Sequence, residues 1–411
     1  MSIRSRSAQA LIAVASLAAC SNPPSPSTAP SPSAAASASQ PSPSASVAAG
    51  LPDVPEDALY HPSFDAIAAS KPGEVLGVVE LASPPATRAW FVVYGSTGLQ
   101  GEPVAVTGIV LAPEAAPGES GYPIVAWAHG TTGIADECAP SKRGLSEIPA
   151  EVHDLVTQGY VVTATDYEGL GTGGIHPYLI GISEGRSVLD SIRAVQALRA
   201  ANAGAEAVVI GHSQGGHAAL WAAELAPSYA SGLTLLGALA ASPPTDLVAW
   251  DTWAFHEAAV GALDTVAAPL LLFGVWNAIY DAPLNFLTDS GRQSALAGRD
   301  ACFPPPVVTT PYLRDPAEIP EWNNLLTRNS PGLALTGVPI RVVAPRADEA
   351  VQFDAQVAGV TTMCAIGDTV ELQSVEGDHF SSVEGPTAWP NITTWISDRF
   401  ADVEPVTTCA P

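Results

Sequence analysis

The chain has 411 residues, with 16 Lys and Arg against 41 Asp and Glu, for a formal net charge of −25. A surface this acidic repels a phosphate backbone, which argues against nucleic acid as a partner. The stretch beyond residue 50 is long enough for one large enzyme domain carrying an insertion.

Met1 to Ala19 has a basic start (Arg4, Arg6), an apolar run from Ala8 to Leu17 and small residues at its end. That is the layout of an export signal, and it is too short to span a bilayer. It closes on Leu17-Ala18-Ala19-Cys20, which resembles a bacterial lipobox. The expectation is that Cys20 is acylated and becomes the mature N-terminus, anchoring the protein to a membrane without a spanning helix. If the lipobox is not used, the protein is simply secreted. Residues 20 to 50 are almost wholly Ser, Pro and Ala, which cannot bury a core and predict a disordered tether.

Residues 51 to 411 alternate short apolar β-rich runs with helical patterns. The runs are Val104 to Leu111, Pro123 to Ala128, Tyr160 to Thr165, Ala207 to Ile210, Thr234 to Ala240 and Ile340 to Ala344. Several are apolar throughout, as strands buried on both faces must be. Glu147 to Gln158 and Ser183 to Ala200 read as helices, the second with Val188, Ile192 and Val195 recurring on one face. This order predicts an α/β fold with a mostly parallel central sheet covered on both sides by helices.

Gly-x-Ser-x-Gly occurs twice, at Gly211 to Gly215 around Ser213 and at Gly181 to Gly185 around Ser183. Ser213 follows directly on a predicted strand and precedes a predicted helix, which is the context of a nucleophile elbow. There a serine sits in a strained turn, and Gly211 and Gly215 remove the bulk that would crowd it. Ser183 has no strand before it and reads as a helix N-cap. The base and its orienting acid should follow in the order Ser, Asp or Glu, His, each at a strand end. His379 follows the strand-like Thr369 to Val375 and is the candidate base, while His212 and His217 are expected to point elsewhere. For the acid, Asp348 ends a strand, and Asp246 is its rival. The amide of Gln214 should form one half of an oxyanion hole, and the loop His129-Gly130-Thr131-Thr132 the other, with Thr131 favoured and Thr132 the alternative. Asp166-Tyr167 and Gly169-Leu170-Gly171 fit either the pocket entrance or a structural turn.

Cys138, Cys302, Cys364 and Cys409 in an exported chain suggest two disulfides, with three pairings open. No Cys-x-x-Cys or His-x-x-x-His spacing is present, so no metal is expected. Neither glycine-rich turn carries the Lys-Ser/Thr of a nucleotide site, so no cofactor is implied.

His129-Gly-Thr-Thr-Gly133, Cys138-Ala-Pro-Ser141, Asp166-Tyr-Glu-Gly-Leu-Gly171, His176-Pro-Tyr-Leu179, the elbow Gly211-His-Ser-Gln-Gly215 and a late Asp and His together resemble the secretory lipases of the fungal lipase A type and their bacterial relatives. The resemblance runs from about residue 60 to 405. It implies an α/β-hydrolase fold, hydrolysis of carboxylic esters, a Ser213-Asp348-His379 triad and a helical cap inserted before the acid. It also implies the pairings Cys138 with Cys302 and Cys364 with Cys409. The cap falls at about residues 243 to 337 of the 51 to 411 domain. Its apolar stretches, Ala268 to Trp276 and Ile279 to Leu287, are expected in part to line an acyl tunnel, favouring medium- or long-chain acyl esters; short-chain esterase and acyltransferase are the alternatives on the same triad, with serine peptidase and a non-catalytic surface binding module behind them.

Overall fold

The computed structural model describes residues 51–261, 266–305 and 308–410; the predicted signal peptide, Cys20 and the tether lie outside the described residues. Nine strands form one sheet: β1 (Val75–Leu81), β2 (Thr87–Thr97), β3 (Pro103–Pro113), β4 (Tyr122–Ala128), β5 (Val161–Thr165), β6 (Ala203–His212), β7 (Thr234–Ala241), β8 (Ile340–Pro345) and β9 (Val370–Val375). Their spatial order is β1-β2-β3-β5-β4-β6-β7-β8-β9. From β5 to β9 every neighbouring pair is parallel, as the sequence pattern requires. The first three strands form an antiparallel meander, and β3 meets β5 antiparallel as well.

The helices are α1 (Phe64–Ala69), α2 (Pro140–Arg143), α3 (Ala150–Thr157), α4 (Gly181–Ala197), α5 (Gln214–Tyr229), α6 (Leu247–Val260), α7 (Ala267–Tyr280), α8 (Asp289–Ala297), α9 (Pro320–Asn329), α10 (Phe353–Ile366) and α11 (Ala388–Phe400). One face of the sheet packs against α4 and α5 through Val188, Ile192, Ala218 and Ala222. The other face buries α3 and α11 through Val152, Leu155, Trp389 and Ile396. Each face therefore removes a full apolar layer from water, at about 25 cal/mol per Å². That is the physical reason the central strands carry no polar alternation: Ile124, Val125, Val208 and Val209 are all fully covered.

The chain between β7 and β8 carries α6 to α9, whose apolar residues form a separate core around Leu270, Phe273, Trp276 and Trp322. The run from Ala268 onward was expected to contribute to a tunnel. Leu270 to Trp276 are buried among the inserted helices, the part of the run expected to pack their own core, while Ala268 stays partly open.

Two local expectations are corrected. Ser183 does not cap its helix: α4 begins at Gly181, its N-cap Ile180 has extended backbone and no side-chain cap, and the Ser183 hydroxyl donates to the Glu168 carboxylate. Strands β1 and β2 were not anticipated as elements. Disulfides join Cys138 to Cys302 and Cys364 to Cys409, the pairing the resemblance implies. Among the described residues no helix is long and apolar enough to cross a membrane.

Candidate active site

The carboxyl ends of β4, β6, β7, β8 and β9 lie along one edge of the sheet, with Ala128 opposite Gly211, His212 opposite Ala241 and Pro345 opposite Val375. Ser213 sits in the corner between β6 and α5 with φ 57° and ψ −120°. A side chain at positive φ is strained by about 1–3 kcal/mol, so the surroundings must hold it. Its N–H donates to the Ala241 carbonyl at 2.8 Å, and its own carbonyl accepts from Gly216 at 2.9 Å and His217 at 3.1 Å. The corner closes only because its flanks are glycine. A Cβ on Gly211 would run into the Gly215 carbonyl, and one on Gly215 into the carbonyl of Ala128.

His379 opens a short helical turn after β9. Its Nδ1 lies 2.9 Å from both carboxylate oxygens of Asp348, so Nδ1 carries the proton and the Nε2 lone pair is left for another partner. Asp348 follows β8 and is itself fixed: Oδ1 accepts from the backbone of Ala350 at 2.9 Å and Val351 at 2.7 Å, and Oδ2 from Gln356 Nε2 at 3.1 Å. The rival Asp246 is occupied elsewhere, capping α6 through the Ala249 amide at 2.9 Å. The backbone of His379 is pinned as well, its N–H donating to Glu349 Oε2 at 3.1 Å and its carbonyl accepting from Ser242 Oγ at 2.7 Å.

Ser213, Gln214, Thr131 and His379 line one cavity of about 280 Å³, closed by Trp250 and Ala268 from the inserted helices and by Phe303 and Val351. Gln214 is the first residue of α5, so its N–H has no acceptor within the helix and points out of the N-terminus with the positive end of the helix dipole. Thr131 bonds the Tyr178 hydroxyl through Oγ1 at 2.9 Å. The Thr132 carbonyl accepts from the Phe303 amide at 2.9 Å, and Thr132 lines the adjoining chamber in place of this cavity. The loop is steadied from below by Tyr167, whose hydroxyl donates to the His129 carbonyl at 2.9 Å. Asp166 accepts from Thr107 Oγ1 at 2.7 Å and from the amide of Ser141 at 2.9 Å, and it also accepts from the Ser141 hydroxyl. The Asp166-Tyr167 pair is thus a structural support, not part of the entrance.

His217 points away from the site, as expected, but His212 does not. Its Nε2 donates to the His379 carbonyl at 3.1 Å, and its ring lies 4.8 Å from the His379 ring. Burial, reinforced by the neighbouring His379, pushes its pKa down to about 3, so the ring is neutral and adds no competing charge.

Beneath the elbow lies a buried polar network that sequence reasoning missed. Gln214 Nε2 donates to His176 Nε2 and to Glu184 Oε1, both at 2.8 Å. The other Glu184 oxygen pairs with His217 Nδ1 at 2.6 Å, and His217 Nε2 lies 2.7 Å from the carbonyl of Asn329 at the end of α9. His176 can accept because burial holds its pKa near 4 and its Nδ1 donates to the Glu168 carbonyl at 2.8 Å. The sequence signal was a Glu and a His within two predicted helices; the partners are too far apart in the chain to be paired by spacing.

A nine-stranded, mostly parallel sheet, a serine elbow after a central strand and an Asp-His pair on the loops after β8 and β9 define the α/β-hydrolase fold. Candida antarctica lipase A shares it with a TM-score of 0.71 and 19% identity, over 87% of this chain and 89% of that one. Residues 149–270 match the secretory lipase family, in keeping with the resemblance carried by the motifs. The chain is 30% identical to lipase A of Moesziomyces aphidis over 237 residues, covering 54% of this chain and 49% of the relative. It is also 32% identical to a probable inactive lipase of Mycobacterium tuberculosis over 198 residues, 43% of each chain. The chain thus spans about half the length of the curated relatives it matches.

Proposed function

We propose that the protein is an exported serine carboxylic ester hydrolase working through an acyl-enzyme on Ser213. The observation that carries this reading is the Asp348-fixed tautomer of His379, which faces the same cavity as a serine strained at φ 57°. Similarity alone would not suffice, since one relative bears the name of an inactive lipase.

In this reading Nε2 of His379 takes the proton from Ser213 Oγ as the oxygen attacks the ester carbonyl, and Asp348 stabilises the resulting imidazolium. The oxyanion is met by the Gln214 amide and by Thr131, which lines the same cavity as Ser213, with Thr132 the alternative donor. The alcohol then leaves with the proton from His379, and water repeats the sequence to release the acid. The substrate is an acyl ester of medium or long chain. The cavity of about 280 Å³ favours the medium end of that range. Export fits the similarity to secretory lipases. Anchoring through Cys20 is our proposal from the sequence alone.

The test is hydrolysis of p-nitrophenyl acetate, butyrate, octanoate and palmitate by the wild type and Ser213→Ala, with peptide anilides and an acyl acceptor run alongside. The expected result is loss of ester hydrolysis in the variant and a kcat/KM that rises from butyrate to octanoate, since each CH₂ buried contributes about 0.8 kcal/mol. A best activity on acetate that is gone by octanoate would make the protein a short-chain esterase. Turnover of anilides, or transfer outrunning hydrolysis, would move it to another reaction.

A further inference from the structure

Behind the oxyanion loop lies a second, larger chamber of about 520 Å³. It opens where the first one ends: Gly130, Thr131, His212 and Phe380 line both. We propose that this groove receives the alcohol half of the ester, and that it selects ring-sized alcohols that are neutral or cationic over small or anionic ones. The proposal rests on the ester hydrolase reading above and adds to it the identity of the leaving group.

The direction follows from the chemistry. In the tetrahedral intermediate the former carbonyl carbon bears the Ser213 oxygen, the oxyanion, the acyl chain and the alcohol oxygen. Collapse breaks the bond to the alcohol oxygen, which must take its proton from His379 Nε2, while the acyl group stays on Ser213. The alcohol therefore departs on the side of His379 and the acyl chain lies away from it. The larger chamber begins on that side, at Phe380, whose ring stands edge-on 5.5 Å from the His379 ring, and at His212. The acyl side is the smaller chamber, under Trp250 and Ala268.

The lining sets the class of alcohol. The half-exposed Phe380 lines it, backed by the buried Trp127 and Trp389, so flat or cyclic groups meet aromatic surface chiefly at Phe380. Glu147, Glu151 and Glu384 complete it, and no Lys or Arg lines it. Glu147 pairs with Arg143 at 3.3 Å, which leaves Glu151 and Glu384 to repel an anion and attract a cation. A groove larger than the acyl chamber, with no Lys or Arg among its lining residues, is suited to a bulky leaving group, not to the phosphate-bearing alcohol of a phospholipid.

The experiment compares butyrate esters that share the acyl group and differ in the alcohol: ethyl, 2-naphthyl, phenyl, 4-carboxyphenyl and choline. Two variants are measured with the wild type: Val383→Trp, which fills the groove, and Glu384→Lys, an exposed change that reverses its charge. The expected result is at least a tenfold fall in the 2-naphthyl to ethyl ratio of kcat/KM in Val383→Trp. Glu384→Lys should raise the 4-carboxyphenyl to phenyl ratio several-fold and lower the choline to ethyl ratio. Ratios unchanged in both variants would overturn the assignment. So would a Val383→Trp effect on the octanoate to butyrate ratio of one alcohol in place of the alcohol ratio, because the groove would then hold the acyl chain. If the wild type hydrolyses no ester at all, the hydrolase reading fails first and the subsite falls with it.

Discussion

Ser213 is held at φ 57° by hydrogen bonds at both ends of its peptide and by two glycines that cannot be replaced without a clash. The consequence is separable in mutants. Ser213→Ala is expected to fold normally and to lose at least a thousandfold in kcat, because members of a triad act as a unit; Ser183→Ala, removing only a hydrogen bond to Glu168, is expected to keep kcat within a few-fold. Asp348→Asn keeps an oxygen for the backbone N–H donors of Ala350 and Val351 but presents a neutral group to His379, so kcat should fall by orders of magnitude with little loss of stability. Steady-state kinetics with a urea midpoint for each variant checks both. If Asp246→Asn, which keeps an N-cap oxygen for the Ala249 amide, abolished activity instead, the acid would be misassigned. The elbow and the late histidine were legible in the sequence because both follow short apolar strands and the elbow needs glycine at fixed offsets. The role of His212 was not, because a residue beside the nucleophile can turn to either side of the sheet edge, and only the fold brings its ring to His379.

At the scale of elements, the oxyanion loop is tied to a distant segment. Phe303 N–H bonds the Thr132 carbonyl at 2.9 Å, Ile134 N–H bonds the Ala301 carbonyl at 3.0 Å, and the Cys138–Cys302 disulfide locks the pair. Removing either disulfide should cost stability, about 4–5 kcal/mol in the chain-entropy model. Only loss of Cys138–Cys302 should also lower kcat, since Cys364–Cys409 joins α10 to the chain's end and touches nothing in the cavity. Paired Cys→Ser variants compared by thermal melting and kinetics test this. A second element-level expectation concerns Glu168, whose pKa burial raises to about 7. A carboxyl raised above its unfolded value is protonated in the folded state across that interval, so stability is lost as pH rises from about 4.5 to about 7, by up to about 3 kcal/mol. Glu168→Gln should flatten that loss in a urea-midpoint series; an unchanged slope would refute it. Helix α4 shows where sequence fails: its pattern was plain, but its start shifted two residues because Ile180, not a hydroxyl residue, leads into it. β1 and β2 escaped because they form a meander without intervening helices, outside the alternation that revealed the rest.

For the molecule as a whole, the export layout of the first 19 residues predicts work outside the cytoplasm, in keeping with the match of residues 149–270 to the secretory lipase family. Cys20→Ser is expected to release the protein from membranes and to abolish palmitate labelling, whereas an unlipidated mature chain starting well beyond residue 20 would mean plain secretion. The inserted helices between β7 and β8 bury most of their apolar residues against one another, which is why the run Ala268 to Trp276 looked like a tunnel wall in sequence and is chiefly a core. The proposed ester hydrolysis depends on one serine being the nucleophile. Treating the wild type with a p-nitrophenyl alkylphosphonate and mapping the adduct by peptide mass spectrometry tests that most directly. The account requires a single adduct on Ser213, formed in step with the loss of p-nitrophenyl octanoate hydrolysis; an adduct on Ser183, or full hydrolysis with Ser213 unmodified, would contradict it.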